Sequence, residues 1–192
     1  MTWFDPVELV GERVTLAPLS VDHAPGLLLA ADDDAVFTRW HTLARPRTVA
    51  QALQMVQGYL QREGQVSWVQ LVGGAPAGVT TYYEVVPAQR TVAIGSTWLS
   101  RRHQRTGVNT EAKLLLLTRA FATLGCVRVV WHTDVLNLQS QRAIEGLGAQ
   151  REGLLRKHRL RRDGTWRDTV QYAMTDDDWP AARTALHARL HR

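Results

Sequence analysis

The chain of 192 residues holds a single cysteine, Cys126. One thiol cannot close an internal disulfide or build a cysteine-rich zinc module. Its apolar setting, Leu124-Gly125-Cys126-Val127, predicts an inert buried side chain. Long apolar stretches are lacking as well. No run approaches the roughly 18 apolar residues of a membrane helix, and the opening MTWFDPVELV has no basic region leading into an apolar core. Neither a membrane span nor a secretory leader is therefore expected, and the chain reads as cytoplasmic. Excess charge of one sign is small: 23 Lys plus Arg stand against 18 Asp plus Glu, a formal net charge of +5. That suits an anionic ligand but falls short of the clustered basic stripe of a dedicated nucleic-acid binder. Linkers, low-complexity tracts and internal repeats are absent too. What remains is 45% hydrophobic and 21% charged, the composition expected of one globular domain over residues 1–192.

Val10 to Leu19 alternates and reads as a strand, and Ser20-Val21-Asp22 opens a helix through Leu29. Residues 32–46 are irregular. Thr48 caps a second helix running to about Glu63, with Gly64 as its stop. Ser67–Val72, Ala77–Val85 and Thr91–Leu99 are β-type runs separated by Gly73-Gly74-Ala75-Pro76 and Pro87-Ala88-Gln89, which predicts an antiparallel meander. Asn109 to Leu124 is the strongest helical pattern, with Leu114, Leu117, Phe121 and Leu124 at helical spacing. A short strand at Val127–His132, a helix at Leu138–Leu147, a hairpin around Asp163-Gly164 and a terminal helix from Asp176 to His191 complete the order. The fold class expected is α/β (α+β): a mixed, mostly antiparallel sheet flanked by helices.

Two segments carry chemistry. In Trp98 to Lys113, WLSRRHQRTGVNTEAK, a strand ends, a basic turn follows and a strong helix begins at once. A helix N-terminus leaves about four N–H groups unpaired and carries roughly half a positive charge. Gly107 lets backbone approach a ligand, and Arg101, Arg102 and Arg105 add positive charge, so the turn reads as a phosphate cradle or as a plain strand-to-helix turn with solvated arginines. It is neither a Walker loop nor a dinucleotide fingerprint. In Asp134 to Gly148, DVLNLQSQRAIEGLG, Asn137 and Ser140 suit the first turn of a helix and Arg142 follows. If the two preceding strands are neighbours, both helix N-termini flank one crevice.

QRTGVNTEAK (Gln104–Lys113) and NLQSQRAIEGLGA (Asn137–Ala149) resemble GNAT N-acetyltransferases, in particular the branch that includes ribosomal-protein N-terminal acetyltransferases. Glu8–Leu16 with Pro18-Leu19, and Asp163-Gly164 with Arg167-Asp168-Thr169, resemble that branch's opening and closing hairpin. The resemblance implies acetyl-CoA as cosubstrate, a primary amine as acceptor, and no metal. It further implies that Gln104, Arg105, Thr106, Gly107, Val108, Asn109 and Thr110 hold the pyrophosphate, while the pantetheine arm lies beside Thr97, Trp98 and Leu99. Asn137, Ser140 and, more weakly, Arg142 would touch the arm from the other side. Two departures stand out. The final glycine or alanine of the cradle is Asn109, read here as the helix N-cap, and the tyrosine that many members use as an acid toward the leaving thiolate is matched by Ile144. Tyr82, Tyr83 and Tyr172 are the alternative acids, unless the thiolate needs none.

The reaction needs a neutral amine, and a carboxylate acting directly or through water can supply the base. Glu84, near the end of a central strand, is the catalytic candidate, with Ser96 on the neighbouring strand holding a relay water. An N–H near Trp98 would polarise the carbonyl. Phe37, Trp40 and His41, in the irregular segment that GNAT relatives place over the acceptor, are the substrate-binding candidates. Two other readings remain open: a catalytically weak CoA-binding protein, and an RNA- or ribosome-binding module built on the basic run Arg156–Arg162. Oligomeric state is open, a symmetric homodimer being the commonest soluble assembly.

Overall fold

A computed structural model gives the fold and describes residues 3–38, 44–161 and 163–191. Among them eight strands form one sheet in the order β1-β2-β3-β4-β5-β6-β8-β7. The strands are β1 Leu9–Val10, β2 Thr15–Pro18, β3 Val66–Val72, β4 Ala75–Val86, β5 Thr91–Leu99, β6 Arg128–Asp134, β7 Gln150–Leu160 and β8 Trp166–Thr175. Every neighbouring pair is antiparallel except β5 with β6. The helices are α1 Ala24–Ala30, α2 Val49–Leu60, α3 Val108–Thr118, α4 Leu138–Glu145 and α5 Trp179–Leu190. Among the described residues, no helix is long and apolar enough to cross a membrane.

Alternation along the strands feeds two hydrophobic clusters. Trp68, Tyr82, Ile94 and Leu99 pack with Leu116 and Leu117 of α3 and Leu186 of α5 in one. Val69, Val79 and Trp98 pack with Leu27 of α1 and Val56 of α2 in the other. Helices therefore lie on both faces, and the central strands are covered twice. The local signals act as expected in α2, where the Thr48 hydroxyl accepts the Gln51 N–H at 3.2 Å. That helix ends at Leu60, short of Glu63, because Ala52, Met55, Val56 and Tyr59 complete its buried face before the polar Gln61–Glu63. The expected first strand is split into β1 and β2, with Gly11 donating to Val14 O at 3.0 Å between them.

The helix expected over Asn109–Leu124 starts one residue earlier and stops being α-helical at Thr118. Arg119–Thr123 form a wider π turn that carries the buried guanidinium of Arg119, whose Nη2 donates to Asp5 O at 2.8 Å. Cys126 is buried and unpaired by disulfide, and burial pushes its thiol up to about 12.

Candidate active site

Pairing between the parallel strands β5 and β6 covers Thr91–Ala93 and Arg128–Val130 and then stops. Ile94–Leu99 on one side and Trp131–Asp134 on the other line a cleft of about 1120 Å³. A bulge in β5 accompanies the divergence. Val79 pairs with Trp98 and Thr81 with Gly95, so Ser96 and Thr97 stand opposite Thr80 alone. An extra residue bends its strand and re-aims side chains. Ser96 takes φ 44°, an unusual conformation for a residue with a Cβ, and its carbonyl accepts the Tyr59 hydroxyl at 3.1 Å.

Both helices that follow these strands point their N-termini at the cleft. Arg105, Thr106, Gly107, Asn109 and Thr110 line it at the start of α3, with Asn137 and Ser140 at the start of α4. Gly107, not Asn109, is the N-cap of α3, because φ 88° at Gly107 turns the chain into the helix before Val108. That conformation suits glycine, and an added Cβ would lie 3.2 Å from Arg13 Cδ and Nε. Asn109 instead stands in the first turn. The Asn137 side chain caps α4 by accepting Ser140 N–H at 3.1 Å. Gln104 holds the turn by donating to Leu99 O at 3.1 Å, and Gln139 reaches across from α4 to Gln104 at 3.4 Å. Unpaired N–H groups, a close backbone approach and surrounding arginines fit a pyrophosphate; the open edge of β5 fits an extended amide-bearing arm.

Several expected contacts fall elsewhere. Val108 has its side chain in the core and not on the cleft wall, so the backbone N–H is the part of it that the turn can offer. Arg142 is exposed and outside the cleft wall, because Ser140, Ala143 and Ile144 form the inward face of α4, continued by Leu147 beyond its end, and helical rotation turns Arg142 away from that face. Phe37 is 4% exposed and packs on the Trp98 ring at 5.2 Å, so it is core; Ala35 and Val36 line the cleft beside it. Trp40 and His41 lie outside the described residues. Glu84 occupies a second bulge at φ 48° and does not reach the cleft wall. Its half-exposed carboxylate lies 3.7 Å from Arg159 Nη2 and 3.9 Å from His132 Nδ1.

Of the alternative acids, Tyr82 is buried with its hydroxyl on Leu116 O, and Tyr172 is buried with its hydroxyl on Glu145 Oε1 at 2.8 Å. Tyr83 does line the cleft, together with His132, Arg159 and Arg167. Its hydroxyl meets His132 Nδ1 at 3.0 Å, and burial holds its pKa above the usual phenol value. The basic run on β7 is partly spent inside the molecule. Arg159 faces Glu84, and Arg161 binds Asp134 through Nε at 2.8 Å and Nη2 at 3.0 Å. Burial alone would raise the Asp134 pKa, but Arg161 and the Leu136 N–H outweigh it and hold the carboxyl below its ordinary range.

The cleft wall also holds a buried lysine to which the sequence attached no role. Lys113, 5% exposed, places Nζ 2.7 Å from Thr97 Oγ1 and 2.8 Å from Thr80 Oγ1. Burial lowers its pKa to about 7. A sequence clue exists: Lys113 precedes the buried Leu116 and Leu117 by three and four residues, which puts it on the sheet-facing side of α3.

A mixed sheet split between parallel neighbours, with a helix N-terminus on each lip, defines an α/β protein with an open cleft whose chemistry suits an anionic, extended ligand. Residues 13–150 match the family described as Acetyltransferase (GNAT) domain, and the chain belongs to the GNAT acetyltransferase family. It is similar to "Probable N-acetyltransferase YjcK" of Bacillus subtilis (strain 168), 28% identical over 101 residues; the match covers 53% of this chain and about half, 55%, of that protein. A crystal structure from T. thermophilus, assigned to the acetyltransferases, is 35% identical, covers 98% of this chain and 100% of its own, and superposes with a TM-score of 0.91. A GCN5-related N-acetyltransferase from Brucella melitensis is 27% identical, with coverage of 97% and 86% and a TM-score of 0.92. RimJ of Mycobacterium smegmatis, solved with CoA-disulfide, shares the fold at 22% identity, coverage of 96% and 95%, and a TM-score of 0.81.

Proposed function

We propose that the chain transfers an acetyl group from acetyl-CoA to a primary amine by direct attack within a ternary complex. The observation that carries this reading is the split between β5 and β6, lined on both lips by helix N-termini. Membership of the GNAT family supports it, as does the shared fold of RimJ, whose structure contains a coenzyme A disulfide. The acceptor is a peptide α-amine or a small-molecule amine.

In this reading the backbone of residues 104–110 binds the pyrophosphate, and β5 from Thr97 to Leu99 bonds the arm along its open edge. Asn137 and Ser140 close the other side. The thioester group supplies an activated acetyl carbon. Backbone N–H at the end of β5 polarises its carbonyl, and the acceptor enters from the end lined by Tyr83, His132, Arg159 and Arg167. The proton of the incoming ammonium passes through a water held by Ser96 to the Tyr83 hydroxyl and on to His132 Nδ1, which Glu84 faces at 3.9 Å.

Thermal unfolding with saturating acetyl-CoA, against ATP and dephospho-CoA, tests the donor. A ligand at about 100 times its dissociation constant adds roughly 2.7 kcal/mol. A shift for acetyl-CoA exceeding that for ATP is expected, and none at all would refute the donor site. Thiol release from acetyl-CoA with N-terminal alanine and serine peptides, amino acids and polyamines then reports the acceptor. With the best acceptor, Glu84→Gln should lose turnover and keep donor affinity. Unchanged turnover would remove Glu84 from the mechanism.

A further inference from the structure

The Lys113 amine, the Thr97 hydroxyl and the Thr80 hydroxyl form a closed triangle behind the β5 bulge. Nζ lies 2.7 Å from Thr97 Oγ1 and 2.8 Å from Thr80 Oγ1, the two oxygens are 2.8 Å apart, and Thr97 donates to Gly95 O at 3.1 Å. With that last bond made, Thr80 donates to Thr97, and Lys113 gives one N–H to each oxygen. The third position on the nitrogen has no partner among the described residues, and both Lys113 and Thr97 line the cleft. That position holds a proton in the ammonium and a lone pair in the amine.

No carboxylate neutralises the group. Glu111, on the same helix, binds the backbone N–H groups of Glu12, Arg13 and Val14. Asp134 on β6 is engaged by Arg161, and His132 by Tyr83 and Gln171. Arg159 and Arg167 of the β7–β8 hairpin line the same cleft without bonding Nζ. The partners of this lysine are hydroxyls, which can relay a proton, its open position lies in the cleft wall, and burial lowers its pKa to about 7.

We propose that Lys113, acting through the Thr97 hydroxyl, delivers the proton that the leaving thiolate of the acyl donor requires. The proposal rests on the donor reading above and fills the place left by Ile144. The acceptor nitrogen bonds to the acetyl carbon, the C–S bond breaks, and its electron pair goes to sulfur. Thr97 passes its proton to sulfur and takes one from Lys113, leaving a thiol and a neutral amine. The acceptor nitrogen sheds its proton to water, and Lys113 regains one from solvent. Transfer from an acid near 7 to a thiolate of pKa about 8 to 9 runs downhill. Its long bond to Gly95 O is the one Thr97 gives up. Lys113 acts through Thr97 and is thus a positioning residue.

The pH profile of turnover is the readout. Thiol release from saturating acetyl-CoA, with the acceptor that gives the highest rate, is followed against pH in wild type and in Lys113→Gln, which can bond both threonines but carries no titrating charge. The wild-type rate should fall as pH rises through about 7, where Lys113 gives up its proton, and Lys113→Gln should be slower and lack that fall. The same fall in both proteins overturns the proposal. Thr97→Val keeps the ammonium but removes the hydroxyl path, so it should be slow as well, and full turnover in it overturns the relay. Carbon NMR of Lys113 Cε in the unmutated chain covers the case in which a variant does not fold. Its midpoint should coincide with the fall in rate, and an amine that does not titrate in that range overturns the proposal. Failure of the wild type to bind CoA or to turn over acetyl-CoA is a separate result, which overturns the donor reading and this inference with it.

Discussion

Glu111 Oε2 accepts the backbone N–H of Val14 at 2.8 Å, across 97 residues of chain. The same carboxylate takes the N–H of Arg13 at 2.7 Å and of Glu12 at 3.0 Å. It thereby fastens the first turn of α3, and with it the turn at residues 104–107, to the chain entering β2. Gly11 makes the approach feasible, since an added Cβ would lie 2.5 Å from Glu111 Oε2.

Glu111→Ala leaves three backbone donors without their acceptor. The expected loss of stability is about 3 kcal/mol, because bonds to charged groups are stronger than neutral ones and unmet donors are costly. Urea unfolding measures it, and an unchanged midpoint would show that the carboxylate is replaceable.

Gly107→Ala tests the cradle. The new methyl must adopt φ 88° and lie 3.2 Å from Arg13, at an energy cost of roughly 1 to 2 kcal/mol. If backbone at this turn holds the pyrophosphate, calorimetry should show acetyl-CoA affinity falling about tenfold or more. Affinity equal to wild type would place the pyrophosphate elsewhere.

Lys113 gives stability a pH signature. Its folded pKa of about 7 lies below the ordinary lysine value of 10.5. Below pH 7 both states hold the proton, and the folded state bears the whole cost of the buried charge. Between these two values the unfolded chain binds more protons, so folded-state stability should rise with pH across that window. Lys113→Gln should lack that rise. Parallel curves for the two proteins would mean that the amine does not titrate there.

Phe37→Ala distinguishes core from acceptor pocket. With Phe37 buried against Trp98, the expected cost is about 3 kcal/mol or more in thermal unfolding. A variant that unfolds like wild type but has a weakened acceptor KM would restore Phe37 to the binding site.

Much of the architecture is local and therefore legible. Thr48 announces α2 through its side chain, and the last hairpin turns at Gly164, whose φ of 83° favours glycine. The alternation from Ser67 to Leu99 shows three strands. The turn at Gln104–Thr110 is readable for the same reason: strand, basic turn, glycine and helix stand consecutively, and a helix N-terminus attracts anions wherever it lies. The cap of α3 was less legible. Asparagine has the side chain for that position, yet the left-handed turn at Gly107 starts the helix earlier.

The remaining residues depend on distance through space. Glu84 is near its expected strand end, but the second bulge turns it to the rim beside Arg159 and His132. Arg142 and Ser140 are two residues apart and face differently because helical rotation separates them. The elements, their order and the basic, glycine-bearing turn at the head of α3 follow from side chains and backbone within a few residues, so the sequence alone carries them. Only the tertiary structure decided where β5 parts from β6, that Phe37 belongs to the core, and that Lys113 stands buried between two threonines. Those outcomes depend on which strands become neighbours and on how much water they exclude, and neither is set by any short stretch of chain.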